Sequence, residues 1–139
     1  VSDGTNVTTQ NLAVAVSNVN EAPTLALTGA GTIDENAVAA TVATFAAGDP
    51  DGGDTLTYTL GGADAALFVV DGGTVRLRDG VSLDYEQAAT RNVTLTVTDA
   101  QGLSQTRALT VNVANVDEAP AFTSPASLSV GENGTAVVT

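Results

Sequence analysis

Three observations predict an all-β fold, a seven-stranded Greek-key β-sandwich, for this 139-residue sequence. Threonine alternates with aliphatic residues in several short runs, the period of two that gives a strand one buried and one wet face. Turns rich in glycine and aspartate separate those runs. The segment Asn18-Val-Asn-Glu-Ala-Pro23 returns as Asn115-Val-Asp-Glu-Ala-Pro120, an offset of 97 residues (position 20 to position 117). Its flanks return as well: Val1-Ser-Asp-Gly4 answers Val97-Thr-Asp-Ala100, and Ile33-Asp-Glu-Asn36 answers Val130-Gly-Glu-Asn133. Asp3 to Asp99 is 96, so one insertion or deletion lies between the motifs. Self-similarity at a fixed period marks a tandem array. The expected organisation is the C-terminal part of one repeat over residues 1–22, a complete repeat over 23–119, and the N-terminal part of another over 120–139.

Within the complete repeat the strands follow in order. Thr24–Thr28 reads as the first, after Pro23. Ala40–Ala46 alternates small and larger apolar residues and ends at the turn cluster Gly48-Asp-Pro-Asp-Gly52. Leu56, Tyr58 and Leu60 alternate with Thr55, Thr57 and Thr59. Leu67–Val70 and Thr74–Arg78 flank Asp71-Gly-Gly73, whose glycines suit the positive φ of a hairpin turn. Val93, Leu95 and Val97 alternate with three threonines, and Leu109, Val111 and Val113 close the unit. Leu83–Ala89 is the single stretch read as a helical turn. Outside the complete repeat, Leu12–Val16 reads as a last strand and Phe122–Val130 as first-strand material.

Composition narrows the function. The formal net charge is −12, and the four basic residues are all arginine (76, 78, 91 and 107). No basic face exists to neutralise phosphates, which argues against nucleic acid. Histidine and cysteine are absent, so neither a Ser-His nor a Cys-His nucleophile can be built. Disulfides cannot brace the fold either. No apolar run approaches the roughly 20 residues of a membrane helix. Carboxylate pairs could serve glycoside hydrolysis, but these lie in loops that a tandem array sends to domain ends rather than into a cleft. No enzyme is expected.

The acids are not scattered. They occupy the loops between strands: Glu35, Asp49 with Asp51, Asp84 with Glu86, Asp99, and Asp117 with Glu118. Carboxylates two residues apart in a loop can converge on one ion, with backbone carbonyls completing the shell. Such oxygen-only groups suit Ca²⁺, which takes 6–8 oxygens. They do not suit Zn²⁺, which favours histidine and cysteine.

These residues resemble the cadherin domain. Glu35-Asn36 looks like its Glu-Asn signature, Asp49-Pro-Asp51 its Asp-x-Asp, and Leu83-Asp-Tyr-Glu86 its Leu-Asp-Arg-Glu. Asp99-Ala-Gln-Gly102 resembles the acidic turn before the last strand. Asn115–Pro120 looks like a shortened linker, ending Glu-Ala-Pro where animal cadherins have Asp-Asn-Ala-Pro. That shortening, with Asp51-Gly-Gly-Asp54, is similar to the cadherin-like repeats of large bacterial surface and secreted proteins. The resemblance implies Ca²⁺ sites at the junctions between repeats. One junction would use Glu35, Asp84, Glu86, Asn115, Asp117 and Glu118. The other would use Asn18, Asn20, Glu21, Asp49, Asp51 and Asp99. Each is incomplete in this chain. The earlier junction lacks the preceding repeat's glutamate and Leu-Asp-x-Glu, and the later one lacks the next repeat's Asp-x-Asp. The two linkers also depart from the family, with Asn18 and Asn115 in place of an aspartate.

The function this implies is a calcium-stiffened structural or adhesive module of a long extracellular bacterial surface or secreted protein, an adhesin or a subunit of a filament or sheath. Its expected partners are neighbouring repeats of the same polypeptide, identical chains in such a filament, and a glycan or other cell-surface ligand. The alternative is a carbohydrate-binding module. Sugar binding calls for exposed aromatic rings. Phe45, Tyr58 and Phe68 fall on expected core faces and Phe122 follows the linker proline, which leaves Tyr85 as the one platform. Gly52-Gly53-Asp54-Thr-Leu56 has only one copy of a β-roll-like calcium repeat. The Asp49 loop lacks the glycine and glutamate of an EF-hand.

Overall fold

The computed structural model describes residues 1–29 and 31–120, and within them the sandwich forms from eight strands. These are β1 (Thr24–Thr28), β2 (Thr32–Asp34), β3 (Thr41–Gly48), β4 (Thr57–Gly61), β5 (Phe68–Asp71), β6 (Thr74–Leu77), β7 (Thr90–Thr98) and β8 (Ser104–Ala114). Two four-stranded sheets result, in the orders β1-β3-β6-β5 and β2-β8-β7-β4. Pairing is antiparallel except between β2 and β8, which run parallel with Ile33 opposite Val113.

The alternation in the sequence fixes which residues face inward. On β7, Val93, Leu95 and Val97 are buried between half-exposed threonines, and on β8 Leu109, Val111 and Val113 are buried between exposed Thr110 and Asn112. The facing sheet contributes Leu25, Val42, Phe68, Val75 and Leu77. Phe68, at 0% exposure, heads the list of fully buried side chains by volume. The hairpin between β5 and β6 turns on Gly72 and Gly73, both at positive φ as the Asp-Gly-Gly sequence requires.

Three features depart from expectation. The segment before β3 holds two strands rather than one. β1 joins one sheet and β2 the other, with Gly29 at φ 75 where the chain begins to leave β1. β2 has only three residues and one buried side chain, Ile33, too short to show a period. Leu83–Ala89 holds a turn over Tyr85–Gln87 closed by one Ala88 N–H to Asp84 C=O bond of 3.2 Å, whereas the assigned helical turn, of 3₁₀ type, is Ala65–Leu67. Leu12–Val16 is not a strand, because no described strand offers its backbone a ladder of hydrogen bonds, and Leu12, Val14 and Val16 stand exposed. Phe122–Val130 lies outside the described residues.

The core residue with most to lose is Phe68. Phe68→Ala should destabilise the fold by about 3–5 kcal/mol, read as a shift of the urea midpoint. Thr59→Ala, on the wet face of β4, should stay within about 0.5 kcal/mol.

Candidate metal centres

β8 is 11 residues long, so at about 3.3 Å per residue its two ends lie on the order of 35 Å apart. Every acid singled out above gathers at one end or the other.

At the end where β8 finishes, Glu35 leaves β2 with its side chain buried, 3% exposed. Its Oε2 accepts the Tyr85 N–H at 2.9 Å and its Oε1 accepts the Val116 N–H at 2.7 Å. One carboxylate thereby fastens the Leu83–Gln87 loop and the linker after β8 to the sandwich. Asn36 follows at φ 62, a left-handed conformation that asparagine tolerates better than most residues. Its backbone N–H bonds Leu83 C=O at 3.0 Å, and its side-chain amide donates to Glu118 Oε1. The Asn115 amide donates to Glu86 Oε1 at 2.8 Å. Glu35, Glu86 and Glu118 can each bring a carboxylate oxygen within 4.8 Å of the others. Asp84 and Asp117 fall outside that group: Asp84 Oδ1 accepts the Gln87 N–H of its own turn at 3.0 Å.

At the opposite end the linker before β1 meets the β3–β4 and β7–β8 loops. Asp51 accepts the Asn18 amide on Oδ1 and the Glu21 N–H on Oδ2, the latter at 2.8 Å. Asp49 Oδ1 accepts the Asp51 N–H at 2.8 Å. Asp99 is buried, 4% exposed, and accepts the Asn20 amide on Oδ2 at 2.9 Å and the Gln101 and Leu103 N–H groups on Oδ1. Asp49, Asp51 and Asp54 form the second group with oxygens within 4.8 Å of one another. Asp99 and the Glu21 carboxylate lie outside it. Asp54 is the residue the repeat motifs did not single out; its signal is the Asp51-Gly-Gly-Asp54 spacing, which closes a tight return.

The donor set fits calcium on a specific observation. Asn20 Oδ1, Asp49 Oδ2 and Asp54 Oδ2 are buried and accept no hydrogen bond. Buried acceptors left without a donor are costly, and a hard cation bound by oxygen would satisfy them. The four arginines cannot do so, being engaged elsewhere. Arg76 pairs with Asp71 and Asp79, Arg91 lies 3.7 Å from Asp64, and Arg78 and Arg107 donate to Phe68 C=O and Leu25 C=O.

The aromatic side chains depart from expectation in one case. Phe68 is in the core and Phe45 is partly buried, but Tyr58, at the edge on β4, is 37% exposed, as open as Tyr85 at 38%. The Phe45 and Tyr58 rings stack at 5.0 Å, tilted by 51°.

The chain is thus an all-β sandwich with acidic clusters at its two ends, each meeting the segment that enters or leaves it. The cadherin-domain profile matches residues 30–114, and the chain belongs to that family. Cadherin domains are extracellular adhesion modules that generally bind Ca²⁺. A rat cadherin-related family member 1 is 31% identical over 88% of the chain, and its chicken counterpart is 34% identical over 52%. The chain spans only 16% and 10% of those two proteins. The protocadherin gammaB7 EC3-6 cis-dimer structure superposes with a TM-score of 0.58 at 31% identity, over 73% of this chain and 26% of that one. These relatives are animal proteins.

Two carboxylates at the Asn18–Glu21 end sit below the ordinary pKa of 3.8. Burial pushes Asp99 up, but the Asn20 amide and the N–H groups of Leu103, Gly102 and Gln101 outweigh it. The Asn18 amide and the Glu21 N–H lower Asp51. With folded values below the unfolded value near 3.9, both groups contribute stability above about pH 4, lost as pH falls through their folded values. In chelator, urea midpoints should therefore drop below about pH 4, and Asp99→Asn should make that drop shallower. An equal drop in parent and variant would contradict this assignment.

Proposed function

We propose that this chain is part of a tandem array of cadherin-like repeats in a long extracellular protein of the bacterial surface or secreted type. Calcium at each junction stiffens the array for adhesion, or for a filament or sheath. The observation that carries this reading is an acidic cluster at each end of one sandwich, with the segments that enter and leave the sandwich hydrogen-bonded to acids there. Residues 23–119 form the complete repeat, residues 1–22 the end of a preceding one, and residues 120–139 the beginning of the next.

The repeat register supports that division. At the 97-residue offset, Leu12, Val14 and Val16 answer Leu109, Val111 and Val113. The last three are 2%, 0% and 4% exposed, and the first three are 85%, 76% and 91% exposed. The same apolar stripe is thus core in one copy and bare in the other, as expected of a strand whose sandwich belongs to a preceding repeat. The bacterial setting rests on the shortened linkers and on Asp51-Gly-Gly-Asp54, since the matching relatives are animal proteins.

The mechanism is electrostatic. Carboxylates gathered at a junction repel one another and splay the linker, at a range set by the Debye length of about 8 Å in physiological salt. A bound calcium ion would supply the positive charge that offsets this repulsion. Glu35, Glu86, Glu118 and Asn115 would hold it at one end, and Asn20, Asp49, Asp51 and Asp99 at the other. With Asp84, Asp117, Asn18 and Glu21, these make up the two junction sets. Neighbouring repeats are then the primary partners, and identical chains or a cell-surface ligand would be met by the assembled array.

Glu86→Ala should loosen the Asn115–Pro120 junction and leave the sandwich intact, because its side chain points away from the core. Small-angle scattering of a multi-repeat protein in calcium would show a shorter, more flexible particle for the variant. Equal length and stiffness in parent and variant would reduce Glu86 to a solvated turn acid.

A further inference from the structure

A sheet ends in edge strands whose outward backbone groups can pair with another chain. Each sheet here has two, β1 and β5 in one and β2 and β4 in the other. Three of the four are blunted. Side chains from β8 occupy the backbone of Leu25 on β1: Gln105 Oε1 accepts its N–H, and Arg107 Nε donates to its C=O at 3.3 Å. On β5, the Phe68 N–H is taken by Ala65 C=O of the 3₁₀ turn, and Arg78 Nε donates to Phe68 C=O at 3.1 Å. β2 is three residues long and ends at Asp34.

β4 has no such guard. Among the described residues, no side chain and no loop bonds the backbone of Thr57–Gly61, which is met only by its ladder with β7. Residues 55–63 carry no charge in a chain of net charge −12. The strand itself, Thr57-Tyr-Thr-Leu-Gly61, is rich in β-branched and aromatic residues. Tyr58 and Leu60 line an open groove between β4 and β5 and stay partly exposed, Tyr58 at 37%. We infer that β4 is a docking edge for a second copy of this chain. The two β4 strands pair antiparallel across a two-fold axis and join two four-stranded sheets into one of eight strands.

The strand is complementary to itself, which selects this occupant. Centring the axis on Thr59 is the register that pairs all 5 residues: Thr57 with Gly61, Tyr58 with Leu60, and Thr59 with its own copy. Directly opposed side chains pack against each other across a ladder, so each Leu60 covers the Tyr58 ring of the other copy. Charge points the same way. Two copies of an acidic chain repel wherever acids meet, and this ladder contains no acid. So short a ladder covers far less than the roughly 1,200 Å² of a stable complex, and one repeat pairs weakly. Contacts repeated along two stiff arrays add up. In that respect the inference rests on the filament or sheath reading, to which it gives a lateral contact.

The chain has no cysteine, so a single introduced one reports on the contact. Opposed Cα atoms in an antiparallel pair lie about 4.5–5.5 Å apart, within reach of a disulfide. Thr59→Cys therefore sets two thiols face to face across the axis. Thr106→Cys is the control, on the same wet face but two strands away, on β8. Under mild oxidation of the concentrated 139-residue chain, Thr59→Cys should form linked dimer about tenfold or more faster than Thr106→Cys, because pairing raises the local thiol concentration. In the parent, amides of Thr57–Gly61 should exchange more slowly at high than at low protein concentration, a readout that needs no variant. Equal rates for the two variants, a faster rate for Thr106→Cys, or β4 exchange that ignores concentration would overturn the edge contact. The assay needs one repeat only, so such a result would leave the array and its calcium junctions, tested by scattering, standing.

Discussion

A single buried carboxylate, that of Glu35, ties the linker to the sandwich. It accepts N–H groups from the Leu83–Gln87 loop and from the linker, so three chain segments meet on two oxygens. Removing it would strand two donors, each costing about 1–3 kcal/mol if buried. The position of Glu35 is in turn set by the core. Ile33 anchors β2 in the apolar layer, the parallel pairing with β8 fixes its register, and the Glu35 N–H bonds Ala114 C=O at 2.9 Å. Hydrophobic burial therefore reaches the junction through a strand of three residues.

The same economy holds for charge. Twelve net negative charges on a small domain favour solubility but oppose compaction wherever they gather. Among the described residues, the acids that arginine does not pair gather mainly at the two ends, while the four arginines are spent on Asp71, Asp79, Asp64 and backbone carbonyls along the sheets. In their place, the amides of Asn18, Asn20, Asn36 and Asn115 each donate to a junction carboxylate. Those neutral donors hold the geometry without cancelling the charge.

How much of this was legible in the sequence follows the physics of each element. β7 and β8 could be read from their alternation because one face is buried over Val93–Val97 and Leu109–Val113. The hairpin at Asp71-Gly-Gly73 was legible because its glycines are needed for positive φ. β2 was not, since three residues cannot display a period of two. The 3₁₀ turn at Ala65–Leu67 was missed because short apolar runs next to a strand carry no helical signature. Tyr58 alternates as a core residue should, yet β4 is the last strand of its sheet, where an inward-pointing ring stays half in solvent. Leu12–Val16 has the composition of a strand, but a strand requires neighbours that composition cannot supply. In the candidate sites, acid spacing pointed to both ends of the sandwich. The donors that arrange them, from Tyr85 N–H to Val116 N–H, are backbone groups invisible in a sequence, and Asp54 emerged only once the Gly52-Gly53 return was seen to fold it inward.

The central claim is that the end carboxylates of this chain bind calcium and are stabilised by it. Thermal unfolding of the 139-residue chain, in calcium and in chelator at matched ionic strength, tests that claim most directly. A ligand that binds only the folded state at 100 times its dissociation constant adds about 2.7 kcal/mol, which for a domain of this size raises Tm by about 10 °C or more. The account predicts such a rise with calcium and a smaller one with magnesium. Superimposable melting curves in calcium and chelator would contradict it.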